Sequence, residues 1–232
     1  MTICIAVNRG DYIFMAADTR VTFGRPKQHH EDGHIKLYET GVGMITGSGW
    51  SQLLDRVKVR VMNENIEHTS DINNIIKNEQ QAVKDINTYD LSCLELDENI
   101  ASTGWFYSYC TFVNDQIKTR VSFVHGSEFN EREDNTVKSL HDGQAMIWVD
   151  GSVDPSVVKD YELLLNNFVS SSVVGATVSD SGVQLLNITQ RLISNAADIC
   201  DGVSKEFYYG FQTSGDIHLD GPIIATHSQF SD

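Results

Sequence analysis

The chain has 232 residues, and 17 lysines and arginines set against 32 aspartates and glutamates give it a formal net charge of −15 at pH 7. This charge excludes a general nucleic-acid binder, whose affinity comes from releasing counterions from phosphates, and a polybasic protein of membrane surfaces. Apolar residues make up 41% of the chain, which is enough for a sizeable core and too many for general disorder.

The start of the chain predicts strands. Residues 3–8 and 12–17 are apolar at nearly every position, so each strand should be covered on both faces. Between them, Arg9-Gly10-Asp11 has the chemistry of a hairpin turn. Two shorter strands fit residues 34–38 and 42–47.

Helical periodicity then replaces the strand pattern. Apolar residues recur every three to four positions over about 49–67 and again over about 70–87. Thr69 or Ser70 is available to cap the second of these helices. The sequence therefore predicts a pair of amphipathic helices after the first block of strands.

The second half of the chain repeats this order of strands and helices. The aromatic and β-branched stretch 100–124 predicts a hairpin turning at Asn114-Asp115, 126–143 a polar loop, and 144–149 a strand. The remaining predicted elements are a helix after Pro155, a helix over 183–200 capped by Asp180 or Ser181, and a hairpin of 207–211 and 216–219.

Strands and helices thus come in blocks rather than in alternation, which favours an α+β fold over a parallel doubly wound sheet. Two antiparallel sheets packed face to face, with a helix pair on each outer side, would bury all the apolar stripes in a four-layer αββα sandwich. No proline- or glycine-rich boundary divides the sequence. We therefore predict a single domain over residues 1–232.

The residue after the initiator methionine carries the main chemical signal. Thr2 is small enough to permit removal of Met1, and a terminal threonine holds a hydroxyl nucleophile and an amine base in one residue. The α-amine of an unfolded peptide has a pKa of about 7.7–8.0, which suits a general base. An ammonium such as Lys36 would favour the neutral amine and the alkoxide, and Asp18 would keep that lysine charged and positioned.

A family resemblance follows from four features of the first 50 residues. They are Thr2, the run Ala16-Ala17-Asp18-Thr19-Arg20, the pair Lys36-Leu37 and the segment Ile45-Thr46-Gly47-Ser48-Gly49. In order and spacing they resemble the proteasome β-type subunits and their bacterial relatives HslV and Anbu, which are N-terminal-nucleophile hydrolases. Beyond these residues the resemblance lies in the element order, which fits the αββα sandwich of that family.

The resemblance implies a catalytic role for four of these residues. Thr2 falls at the nucleophile, Asp18 and Lys36 at the activating pair, and Gly47 at the glycine whose N–H forms the oxyanion hole. A fixed N–H aimed at a developing oxyanion is worth about 10²–10³ in rate. No metal and no cofactor take part in the chemistry that the resemblance implies.

Three further residues are implied in substrate binding. Thr22 and Gly49 fall where the family binds the substrate backbone as an added strand. Ile45 falls where the family lines its specificity pocket, so we expect a modest preference for apolar side chains.

A segment near the carboxyl end resembles the family's Asp-x-x-Ser, which supports the terminal amine. It consists of Asp201 and Ser204, to which the resemblance gives a catalytic role. Lys205 and Glu206 stand where glycines are usual after that serine. A second assisting serine precedes the third helix in the family, and Ser152 is the nearest candidate here.

A competing motif lies between the predicted strands. His30 and His34, with Glu31 between them, spell H-E-x-x-H, the signature of zinc hydrolases, in which both histidines share one face of a helix. Asp32-Gly33 has turn chemistry, however, and the residues that follow alternate like a strand. We expect a polar loop here and keep the zinc hydrolase as a minor alternative.

The sequence therefore predicts a threonine-type peptidase or amide hydrolase. The family resemblance implies a homo-oligomer, as a ring or a spiral, that acts on peptides or unfolded protein and could be fed by an ATPase unfoldase. The second alternative is a non-catalytic, ring-forming subunit, which would retain Met1 or keep Lys36 away from residue 2. The segment Met1 to Val7 is too short for a secretory signal, and no run reaches the roughly 20 apolar residues of a membrane span, so a cytoplasmic location is expected.

Overall fold

A computed structural model of the chain describes residues 2–23, 29–86, 91–126, 138–149, 154–171 and 178–226. The strands are β1 (Ile3–Asn8), β2 (Ile13–Asp18), β3 (Val21–Phe23), β4 (His29–Glu31), β5 (Leu37–Glu39), β6 (Met44–Ser48), β7 (Gly104–Val113), β8 (Gln116–His125), β9 (Lys138–Leu140), β10 (Gln144–Val149), β11 (Glu206–Gln212) and β12 (Ile217–Ile224). The helices are α1 (Ser51–Asn63), α2 (Thr69–Ile86), α3 (Cys93–Ala101), α4 (Pro155–Ser171) and α5 (Val178–Ile199).

Two antiparallel sheets of five strands each form the middle of the molecule. Their strand orders are β10-β1-β2-β11-β12 and β5-β6-β7-β8-β9, and β3 pairs with β4 in a separate ribbon. Side chains such as Met15, Phe106 and Phe123 fill the space between the sheets. Helices α4 and α5 cover the outer face of the first sheet, and α1 to α3 cover that of the second. The predicted αββα sandwich is confirmed.

The hairpin of β1 and β2 lies at the centre of the first sheet. Side chains alternate along a strand, so Ile3 and Ile5 face the helices whereas Cys4 and Ala6 face the second sheet. Every residue of both strands is buried. The prediction that this hairpin is covered on both faces is confirmed.

The predicted caps of two helices are wrong. Helix α2 begins at Thr69, so neither Thr69 nor Ser70 precedes it; instead, the Asp71 carboxylate accepts the N–H groups of Glu67 at 3.1 Å and His68 at 2.8 Å. In the same way, α5 begins at Val178, so positions 180 and 181 lie inside the helix.

Helix α3 and strands β3, β4 and β9 were not predicted, and β4 occupies part of the segment expected to be a polar loop. The strand predicted over 34–38 begins only at Leu37. Helix α3 has only nine residues and buries Leu96 and Ile100, and a reciprocal pair of hydrogen bonds between Ser92 and Glu95 caps its start. Strand β9 lies within the segment predicted as a polar loop, of which residues 127–137 are outside the described residues. Among the helices of the described residues, none is both long and apolar enough to cross a membrane.

Candidate active site

Thr2 lies directly before β1 and is 5% exposed. Its main chain is held on both sides of the peptide unit that follows it: the Ser48 hydroxyl donates to the Thr2 carbonyl at 2.8 Å, and the N–H of Ile3 donates to Asp18 Oδ1 at 2.9 Å. The last residue of β2 and the last residue of β6, one from each sheet, therefore fix the position of residue 2.

Lys36, directly before β5, points its ammonium at the hydroxyl of Thr2. Its Nζ donates to Thr2 Oγ1 at 2.6 Å, to Asp18 Oδ1 at 3.4 Å and to the main-chain carbonyl of Arg20. An ammonium has three N–H donors, so these three acceptors satisfy it fully. The Lys36 side chain is 10% exposed, which leaves its charge poorly screened from the Thr2 oxygen.

The carboxylate of Asp18 lies at the centre of these contacts and is completely buried. Besides the contacts with Ile3 and Lys36, its Oδ2 accepts the N–H of Arg20 at 3.0 Å and the N–H of Ser204 at 3.1 Å. A buried carboxylate is stable only when it is paired and hydrogen bonded, and this one is both. Asp18 thereby holds the lysine, the start of β1 and the segment before β11 together.

A cleft with a volume of about 1170 Å³ opens over Thr2. Its lining includes the predicted site residues Thr2, Thr22, Lys36, Gly47, Gly49 and Asp201. Ile45, Leu54 and Trp105 supply an apolar part of the wall, and α3 adds Glu95 and Glu98. The cleft therefore borders the Thr2 hydroxyl with both apolar and charged surface.

Gly47 and Gly49, two of the glycines that line the cleft, have no room for a side chain. A Cβ on Gly47 would lie 2.7 Å from Leu54 Cδ2 and 2.9 Å from the carbonyl oxygen of Gly104. Gly49 has a φ of +133°, a conformation that favours glycine, and its Cβ would lie 2.4 Å from Thr103 Cα. Close packing at the end of β6 thus requires glycine at both positions.

The other predicted site residues lie around this centre. Thr22 is in β3, and its hydroxyl is 3.0 Å from His30 Nδ1 across the ribbon. Asp201 is exposed in the turn after α5 and lines the cleft. Ser204 is buried, and its hydroxyl accepts the N–H of Glu206 at 3.0 Å, so it is linked to Thr2 through its own N–H and Asp18. Ser152 and Met1 lie outside the described residues.

Two residues of the site were not assigned from the sequence. Ser48 holds the Thr2 carbonyl, and Arg20 supplies the carbonyl that receives Lys36. The Arg20 guanidinium also forms a bidentate pair with Asp32. Both belong to runs that carried the family resemblance, so the signal was present, but neither residue type alone indicates a contact with residue 2 or 36.

Three ionisable groups in or beside the cleft have shifted pKa values. The pKa of Arg20 is raised, first by its hydrogen bonds with Asp32. The pKa of Asp32 is lowered, first by its hydrogen bonds with Arg20 and to a lesser extent by the Ser204 hydroxyl and the charge of Lys36. Burial raises the pKa of the Tyr38 hydroxyl, with a smaller contribution from Asp55. At neutral pH, therefore, Asp32 beside the cleft is charged, and Tyr38 in the wall of the cleft is neutral.

The structural premise of the zinc alternative is wrong. His30 and Glu31 are in strand β4, and a stretch without regular structure carries Gly33, with a φ of +85°, and His34. The two histidines therefore do not share the face of a helix, as the motif requires. Among the described residues, no group of three or more His, Cys, Asp or Glu side chains is arranged to hold a metal ion.

Comparison with known proteins gives a match in structure only. No protein-family model matches the chain, and no curated protein matches it in sequence. A solved structure of a mutant of Anbu from Hyphomicrobium sp. strain MC1 matches with a TM-score of 0.58 and 7% sequence identity, over 98% of this chain and 89% of the Anbu chain. At this identity the likeness shows that the two chains share a fold.

Proposed function

We propose that the protein is an N-terminal-nucleophile hydrolase of the threonine type that cleaves peptide or related amide bonds. The observation that carries this proposal is the 2.6 Å contact between Lys36 Nζ and Thr2 Oγ1, with the lysine paired to buried Asp18. An ordinary surface lysine would point its ammonium into solvent and not at the hydroxyl of Thr2. The Anbu-like fold supports the same class of hydrolase.

The proposed reaction begins once Met1 has been removed. The Thr2 hydroxyl attacks the substrate carbonyl, and the free α-amine of the same residue takes the hydroxyl proton. The Lys36 ammonium stabilises the oxygen as negative charge develops on it. The α-amine then gives its proton to the leaving amine, and an ester joins the substrate acyl group to Thr2.

Gly47 has the second role in this scheme, because its N–H would hold the oxyanion of the tetrahedral intermediate. Without a side chain at this position the substrate can approach the backbone closely. Water activated by the α-amine then attacks the ester and releases the acid, which restores Thr2. Asp201 and Ser204 would support the amine, from the turn that Asp18 holds against the start of β1.

For the substrate, we favour extended peptides with an apolar residue before the cleaved bond. Thr22 and Gly49 lie on the cleft and would bind the peptide backbone as an added strand. Ile45, Leu54 and Trp105 would contact the apolar side chain. A panel of fluorogenic peptides should show this preference as a higher kcat/KM for leucine than for aspartate at that position.

The proposed assembly is a homo-oligomer, as a ring or a spiral, whose enclosed sites would admit only unfolded chains. An ATPase unfoldase is a possible partner of such an assembly. The alternative of a non-catalytic subunit would retain Met1 or keep Lys36 away from residue 2, and the 2.6 Å contact is the opposite of the second arrangement. No observation favours that alternative.

The test is treatment with a peptide epoxyketone followed by measurement of the intact mass. This reagent forms its ring with a hydroxyl and a free α-amine of one residue, so wild type should begin at Thr2 and gain one inhibitor mass. Thr2→Ser keeps both groups and should also be labelled, whereas Thr2→Ala should not. A wild-type protein that begins at Thr2, is folded and gains no mass would refute the proposal.

A further inference from the structure

Arg20 forms five hydrogen bonds with four of the described residues around the proposed site. Its N–H donates to Asp18 Oδ2 at 3.0 Å, and its carbonyl accepts from Lys36 Nζ. Its guanidinium donates through Nε to Asp32 Oδ1 at 2.6 Å, through Nη2 to Asp32 Oδ2 at 2.8 Å, and through Nη1 to the carbonyl of Asp201 at 2.7 Å. Arg20 itself lies between β2 and β3, outside both strands.

The side chain and the main chain of Arg20 are bound by the same short loop. Asp32 begins the stretch after β4, and Lys36 ends it just before β5. Between them, the N–H of His34 donates to the Thr19 carbonyl at 3.1 Å. The loop is therefore docked at three points on Thr19 and Arg20, and the last of these points is the ammonium that reaches Thr2.

We propose that the ion pair of Arg20 and Asp32 positions Lys36, so that both residues act as positioning residues for the nucleophile; this inference rests on the proposed function. The pair anchors the start of the loop to Arg20, and the Arg20 carbonyl then receives the lysine at the end of the loop. The bidentate geometry fixes the orientation of the guanidinium, which a single contact would not do.

The positioning role accounts for Asp32, which lies within the H-E-x-x-H segment but is not one of the residues that the zinc motif requires. Asp32 has its pKa lowered by Arg20, so its carboxylate is charged at neutral pH. The side chains of the pair are 24% and 39% exposed, which limits what the pair adds to global stability. Its main effect should be on geometry, because a displacement of about 1 Å at a reacting group can cost about 10²-fold in rate.

The experiment measures the rate of epoxyketone labelling at several inhibitor concentrations, which separates the maximal rate, kinact, from the inhibitor affinity, KI. For Asp32→Asn we expect kinact to fall about tenfold while KI changes less than about twofold, because the carboxylate acts on Lys36 and not on the peptide. Asp32→Glu restores the charge and should recover kinact to within about threefold. Glu31→Gln removes a neighbouring charge whose side-chain contacts, within the described part of the chain, are with His29 and His34, and it should leave kinact unchanged.

A double-mutant cycle tests whether loss of the Arg20–Asp32 ion pair causes the fall in kinact. Arg20→Lys keeps the charge but loses the bidentate contact, so it should lower kinact as Asp32→Asn does. The two changes together should be no worse than the more severe single change. Thermal unfolding confirms that each variant is folded, and if Asp32→Asn does not fold, Arg20→Lys and Asp32→Glu make the same comparison.

The outcomes separate this inference from the proposed function. Wild type that reacts while Asp32→Asn reacts equally fast would overturn the positioning role and leave the hydrolase standing. The positioning role would also be overturned if Asp32→Asn weakened inhibitor binding (KI) without lowering kinact. It would be overturned as well if the losses in kinact of the two single variants multiplied in the double variant. Wild type that begins at Thr2 and does not react would overturn the proposed function, and the positioning role with it.

Discussion

At the scale of single residues, the Lys36 ammonium is satisfied by Thr2, Asp18 and the Arg20 carbonyl. No rotation of the side chain is needed to bring its charge to the Thr2 hydroxyl, so the proposed site has the preorganised geometry that would lower a reaction barrier. Each of the three acceptors can be removed or weakened separately, which makes the arrangement open to test.

Replacing the lysine should remove most of the activity. Lys36→Met keeps the length of the side chain and removes the charge that would stabilise the alkoxide, so we expect peptide hydrolysis to fall by about 10³-fold. The matched control is Lys159→Met on the exposed surface of α4, which should leave the rate within a factor of about two. Hydrolysis by Lys36→Met at the wild-type rate would show that the lysine has no part in the reaction.

Replacing Ser48 should have a smaller effect on the rate than replacing Lys36, but it should also lower the stability of the fold. Ser48→Ala leaves the buried Thr2 carbonyl without the hydroxyl that donates to it, which typically costs about 1–3 kcal/mol. The Tm should fall, and the rate of epoxyketone labelling should fall about tenfold as residue 2 gains freedom. An unchanged Tm together with an unchanged labelling rate would count against a positioning role for Ser48.

The sequence predicts site residues that match a family pattern, but not an ion pair that depends on the path of a loop. Asp18 and Lys36 could be predicted because they stand at the ends of elements whose order resembles a known family. The Arg20–Asp32 pair could not, because it depends on the path of the chain after β4, and an arginine and an aspartate twelve positions apart are ordinary surface charges in a sequence.

At the scale of elements, α3 shows why short helices are missed. The sequence contains its start signal, Ser92 with Glu95 three residues later, which forms a reciprocal cap. The aromatic and β-branched stretch that predicts a hairpin reaches back to residue 100, however, and a helix of nine residues offers only Leu96 and Ile100 as buried periodic positions.

The central hairpin of β1 and β2 could be predicted because both faces are buried, which leaves almost no polar position in either strand.

The turn between β7 and β8 gives a prediction for this scale. Its two central residues, Asn114 and Asp115, have φ values of 50° and 61°, as a two-residue hairpin turn of type I′ requires. Asp115→Gly relieves the positive φ, so we expect a gain of about 0.5–1 kcal/mol in the free energy of unfolding. Thermal or chemical unfolding measures it, and a destabilised Asp115→Gly would mean that the Asp115 side chain contributes more than its strain costs.

At the scale of the whole molecule, charge and apolar surface oppose each other. The net charge of −15 makes copies of the chain repel one another. The helices nevertheless expose large apolar side chains, and these are the surface with which the proposed oligomer would overcome the repulsion: Val59, Met62, Ile86, Leu94, Leu163, Leu164, Val183 and Ile199.

Assembly should therefore strengthen with salt. The Debye length falls from about 30 Å at 0.01 M to about 8 Å at 0.15 M, so added salt screens the repulsion but not the apolar contacts. Mass photometry across this range should show the oligomeric fraction rising with ionic strength. A monomer at every salt concentration would contradict the proposed assembly, and an oligomer that dissociates as salt is added would indicate ionic contacts instead.

The most direct test compares two preparations of the same chain that differ only in Met1. One is expressed normally, and the other in cells whose methionine aminopeptidase is inhibited, so that it begins at Met1 and its Thr2 has no free amine. Intact mass after epoxyketone treatment should show one inhibitor mass on the chain that begins at Thr2 and none on the chain that begins at Met1. Equal labelling of both preparations, or none on the processed chain, would contradict the shared role of the hydroxyl and the amine of Thr2.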